Sequence, residues 1–178
     1  GANGEPASSG TGVPMTEITE VECEPPALLK KAPELLAAGK ITSVLVDIDA
    51  ALKAAENYGD LPGSHWPALL VLQAHSLLAI GKDAEAETIA AAMKKTRNPA
   101  LVRDSQGVRA VIAARKGDHL TAESLIVDLK YDTAQPSAMA AAAVARGLGL
   151  LEKKRFEEAL KAFLELPVFL PDETAFRG

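Results

Sequence analysis

The sequence predicts an all-α protein built as an array of about four antiparallel helix pairs. Three observations carry this expectation. The composition is 48% hydrophobic but only 4% aromatic, so the core must be assembled from Ala, Leu, Val and Ile. Ala and Leu lose little freedom in a helix and favour it over a strand. From Ala27 onward apolar residues recur at three- and four-residue spacing, whereas strict alternation is sustained nowhere. Start and stop signals divide this pattern into eight segments with short connections.

The first helix is expected over 26–38. Pro25 and Pro26 suit a first turn, where the N–H that proline lacks has no partner anyway. Pro33 lies inside it and should kink or shorten it. Gly39–Lys40 stops it, because glycine accepts the left-handed backbone of a helix end. The second helix spans 41–57. The third, 64–80, starts at Ser64 before His65–Trp66–Pro67 and stops at Gly81–Lys82, and the fourth spans 83–95. Asn98–Pro99 caps the fifth, 99–115, and Gly117–Asp118 ends it; Asp118 then caps the sixth, 118–130. Ser137 after Pro136 caps the seventh, 137–152, and the eighth runs 155–166, before Pro167. Connections of two or three residues inside each pair force antiparallel neighbours. The links between pairs are richer in Pro, Gly, Asn and Asp: 57–63, 96–99 and 132–136.

Aligned on Gly39, Gly81, Gly117 and Lys154, the pairs repeat at spacings of 42, 36 and 37 residues. Seven residues before each turn stand Ala32, Ala74, Ala110 and Gly147, all small. Five residues after it stand Val44, Ala86, Ala122 and Ala159; nine after it, Ile48, Ala90, Ile126 and Phe163. Antiparallel helices approach to about 8–10 Å only where the facing side chains are small, so these rows are the expected crossing points.

In the fourth unit Gly147, Leu150, Phe156, Ala159, Phe163 and Pro171 stand at the spacings of the tetratricopeptide-repeat family, and the run from Leu148 to Leu160 resembles that family's inter-helix turn. The second and third units keep the small positions without the aromatics. The resemblance, which covers about 26–171, implies a right-handed α-solenoid that binds proteins or peptides on a concave face lined by the first helix of each pair. The residues it places toward that face are Leu29, Leu36, Val71, His75, Leu78, Asp104, Val111, Ala114, Arg115, Val144, Leu148 and Leu151. The Lys, Asn and Arg cluster with which some members grip chaperone tails is replaced here by Leu29, Pro33, Val71, His75, Gly107 and Val111, so such tails are not the expected ligand. A protein or peptide partner is therefore the expectation. The alternative is a structural protein that associates with itself, and an enzyme comes third.

No catalytic, cofactor or metal signature is visible. His65, His75 and His119 are at least ten residues apart; two ligands on one helix face need a spacing of three or four, and ten steps turn a helix by about 280°. Cys23 is the lone cysteine, so no internal disulfide forms. Neither a G-x-S-x-G elbow nor a P-loop is present. Asp47 and Asp49, two apart on a helix, point away from each other. Gly147 and Gly149 read as packing glycines, and Trp66 as a plug at a helix start rather than a binding anchor. The net charge of −5 and the scattered Lys and Arg exclude a nucleic-acid footprint. No apolar stretch is long and clean enough to span a bilayer.

Residues 1–25 read as a flexible, low-complexity tail ahead of a helical domain over 26–178, since 1–13 cannot bury enough surface to order itself. A start of this kind fits an exported protein after removal of a signal peptide or anchor, and an exported location is favoured over a cytoplasmic one. At the other end, Phe169 and Leu170, with Phe176, are expected to fold back as a cap on the last pair.

Overall fold

A computed structural model describes residues 24–129, except 57, 58, 60 and 62, and residues 135–169, with side chains to 165. The tail 1–23 with Cys23, and the end of the domain with Leu170 and Phe176, lie outside the described residues, as does the side chain of Phe169. Within these bounds the protein is all-helical: α1 Ala27–Ala37, α2 Ile41–Ala55, α3 Trp66–Ala79, α4 Asp83–Lys94, α5 Pro99–Arg115, α6 His119–Ile126, α7 Pro136–Glu152 and α8 Phe156–Phe169.

Each helix packs on the next in sequence, and in addition α3 packs on α5 and α5 on α7. The turns inside the four pairs share one geometry. Gly39, Gly81 and Gly117 have φ of 70°, 75° and 76°, and Lys154 has φ of 57°. In each, the positive-φ residue donates its N–H to the carbonyl three residues back: Gly39 to Leu36, Gly81 to Leu78, Gly117 to Ala114 and Lys154 to Leu151. The following residue donates to the carbonyl five back: Lys40 to Leu35, Lys82 to Leu77, Asp118 to Ala113 and Arg155 to Leu150. These paired bonds satisfy carbonyls that a helix end leaves orphaned. Lys154 bears the cost of a Cβ in the left-handed region, about 1–2 kcal/mol. Lys154→Gly relieves it at a smaller cost in backbone entropy, and should raise stability by about 0.5–1 kcal/mol, read as a higher urea midpoint with an unchanged slope.

The small rows lie at the helix crossings. Ala32, Ala74, Ala110, Val44, Ala86, Ala122, Ala159, Ile48, Ala90 and Ile126 are all buried. Gly147 is buried as well, facing the Phe163 ring, which is half-buried. One cluster of apolar side chains runs continuously through α3 to α7, centred on Leu101, Val108, Met93 and Ala142. A separate cluster of Ala32, Val44 and Ile48 holds α1 to α2. Polar ties reinforce the main block: Ser105 Oγ donates to the Ala90 carbonyl at 2.8 Å, and Arg115 donates to the Leu78 carbonyl at 2.8 Å and to Asp83 at 2.6 Å.

Four local expectations are corrected. α3 begins at Trp66 rather than 64; Ser64 stays outside and accepts the Trp66 N–H at 3.2 Å. α6 stops at Ile126, short of 130, because the chain tightens into a turn in which the Leu129 N–H reaches the Ile126 carbonyl and buries Leu129. Ser137 does not cap α7, whose first residue is Pro136; the Ser137 hydroxyl donates instead to Asp104 on α5. α8 runs past the expected end at 166, through Pro167, to Phe169. The caps at Asn98 and Asp118 form as expected: the Asn98 side chain accepts from Ala100 N at 3.0 Å, and Asp118 from Thr121 N at 3.1 Å. Hydrogen bonding from Thr121, its side chain first and its backbone second, holds the Asp118 carboxyl below its ordinary range.

Candidate functional site

The twelve residues expected on a concave face do not form one open surface. His75, Leu78, Asp104, Val111 and Ala114 are buried, and Leu29 is half-buried. The cause is the close approach of α5 and α7. Gly107 has no side chain, and a Cβ there would lie 2.8 Å from the Ala141 Cβ and 3.4 Å from the Ala138 backbone. This contact draws Val111 and its neighbours on α5 into the core. Asp104 is enclosed beside the crossing, where its carboxylate accepts from Ser137 Oγ at 2.5 Å and from Gln135 Nε2 at 2.7 Å. His75 is enclosed within α3, and burial lowers its pKa to about 4. It is therefore neutral at pH 7 and sealed from any substrate. Arg115 remains exposed, though its guanidinium is tied to Asp83 and the end of α3.

Leu36, Val71, Val144, Leu148 and Leu151 keep some access to solvent. Leu36 leans on the α1–α2 cluster, while Val71, Val144 and Leu148 lie half-buried against the main core. Leu151 is exposed. The accessible part of the expected face is thus concentrated on α7, where Val144, Leu148 and Leu151 stand at helical spacings of four and three.

Among the described residues, cavities also lie away from this face, and two of them are lined by polar groups. The larger, about 760 Å³, is bordered by Leu61, Ser64, Trp66, Lys95, Arg97 and Asn98, where the loop before α3 meets the loop before α5. Trp66 itself packs on the main core, and a Cβ at Gly59 would come within 2.9 Å of the indole, so the ring plugs this junction. The smaller cavity, about 100 Å³, lies between α6, α7 and the turn that follows α7, beside His119, Arg146, Lys153 and Arg155. Each of these four basic residues already faces a carboxylate: Glu152, Glu165, Glu123 and Glu158, in that order. The pocket therefore offers no surplus positive charge to an anion.

Sequence reasoning misses one surface. Phe156, Leu160 and Leu164 stand four residues apart on α8 and are 64%, 58% and 49% exposed. Their spacing is readable in the sequence, but Phe156 is read there only as a repeat aromatic, and the row is not singled out. Among the described residues no group of three His, Cys, Asp or Glu side chains is placed to hold a metal, and no helix is long and apolar enough to cross a membrane. No family model matches the chain, and no curated protein or solved structure shows significant similarity to it.

Proposed function

We propose that the chain is a tetratricopeptide-like, right-handed array of four antiparallel helix pairs, and that it serves as a non-catalytic scaffold for a protein or peptide. The observation that carries this reading is the recurrence of one hydrogen-bonded turn at Gly39, Gly81, Gly117 and Lys154, in step with buried small residues on both flanking helices. A chain that repeats one packing unit exposes successive first helices side by side, which suits an extended partner. The contacts of α3 with α5 and of α5 with α7 support that stacking. The partner would lie along α7, where Val144 and Leu148 are half-buried and Leu151 is exposed, because a partly accessible apolar strip is a common docking surface.

Affinity capture with wild-type protein and with Leu151→Glu, at the exposed position of the strip, tests this. Both proteins should show the same helical circular dichroism, and a partner retained by the wild type should be lost from or weakened in the variant. A partner retained equally by both would remove α7 as the docking surface.

A further inference from the structure

The three exposed side chains Phe156, Leu160 and Leu164 form a slanting apolar stripe along two turns of α8, on the side away from Ala159 and Ala162, which are buried. Single exposed apolar residues are ordinary, but a contiguous row on one helix face marks an interaction surface. The stripe is separate from the α7 strip, so its role does not depend on whether α7 binds a peptide.

The flanking charges indicate the occupant. With a step of about 100° per residue, Phe156 and Leu164 lie about 40° to either side of Leu160, and Glu157 and Lys161 lie about 60° and 100° round on one side. Both of these flanking residues are exposed. Consider two copies of α8 packed antiparallel about a two-fold axis at Leu160. A two-fold contact brings the same side of both helices together. Leu160 then meets its own counterpart, and Phe156 stands at the same height as Leu164 of the second copy, diagonally across the seam. On the charged side, Glu157 lies within about 3 Å in height of Lys161 of the second copy, at a rise of 1.5 Å per residue. The symmetry makes the reciprocal pair as well. One stripe thus provides both an apolar seam and two matched ion pairs, the arrangement that antiparallel helix pairs use to select partner and orientation.

We propose that α8 is a self-association surface, pairing two copies of this chain antiparallel through Phe156, Leu160 and Leu164, with Glu157 and Lys161 setting the register. The patch is small, so the dimer is a weak, reversible one.

Sedimentation equilibrium on the full chain over a wide concentration range tests this. The wild type should shift from monomer to dimer as concentration rises. Leu160→Glu places two carboxylates on the symmetry axis and should weaken association by at least about tenfold, with no change in the monomer's helicity or melting midpoint. Glu157→Lys alone sets like charges against each other and should weaken it by about threefold or more, whereas Glu157→Lys combined with Lys161→Glu should restore the wild-type constant. Restoration by the swap is the signature of the proposed register. A wild type that stays monomeric at every concentration overturns the proposal. So does a Leu160→Glu variant whose monomer melts early with no change in mass, which would mean that another part of the same chain covers the stripe. Dimerisation that survives Leu160→Glu places the contact elsewhere and overturns it too.

Discussion

Gly107→Leu should lower the unfolding midpoint by about 6–12 °C, the shift that a loss of about 3 kcal/mol produces in a chain of this size. The site leaves no room for a side chain. The first carbon alone would sit 2.8 Å from the Ala141 Cβ, with the Ala138 backbone at 3.4 Å behind it. A branched side chain must push α7 away from α5, and the core that runs through both helices goes with it. Gly107→Ala is milder. Helix propensity favours alanine by about 1 kcal/mol, and that gain offsets part of the clash with one methyl group. The sharper test is the exchange Gly107→Ala with Ala141→Gly, which moves the methyl from one helix to the other and should recover most of the loss. An unchanged midpoint for Gly107→Leu would mean that the two helices do not cross at this residue.

The second large effect is on pH dependence, through His75. Burial lowers its pKa from the ordinary 6.5 to about 4. Between these values the unfolded chain binds a proton that the folded chain does not, so stability rises with pH across this window. The contribution of neutral His75 is fully present above pH 6.5 and is lost as pH falls toward 4. At about 1.36 kcal/mol per pKa unit the loss is about 3 kcal/mol. Carboxylates titrate at the lower end of the same window, so the measurement is a difference. Urea midpoints for the wild type and His75→Leu should diverge between neutral pH and about pH 4.5, with the wild type losing more. Parallel curves would show that His75 takes up a proton in the folded state as readily as in the unfolded one.

Much of the fold is legible in the sequence because its punctuation is local. Gly39, Gly81 and Gly117 mark turns by chemistry alone, and Lys154 follows from the spacing. The small rows are legible for a related reason: close crossings need Ala or Gly, and the chain places them in step. The accessible face is less legible. The family pattern puts Asp104 and Val111 outward, yet α7 is alanine on nearly every side and gives no periodicity to say which face it buries. Gly107 decides the matter by letting α7 close over α5, and a lone glycine in a helix does not announce which neighbour it admits. Ser137 misleads in a similar way, since a hydroxyl beside a helix start reads as a cap when its partner is a carboxylate 33 residues earlier in the chain. Phe156 reads as a repeat aromatic by analogy alone. Its exposure follows from the absence, among the described residues, of any helix packed beyond α8.

The small separate cluster of Ala32, Val44 and Ile48 has a thermodynamic consequence. α1 makes its main contact with α2 alone, and α2 reaches the rest of the molecule chiefly through α3. Leu52 and Leu72 lie at that join on the apolar side. A unit attached on one side can open while the remainder stays closed, because its release exposes only that single seam. Residues 27–55 and the block from α3 to α8 should then behave as two cooperative units with different free energies of opening. A single global unfolding energy would average over both. Gly107 and His75 both lie in the larger block, so the changes predicted at those residues report on its stability, whatever the first pair is doing.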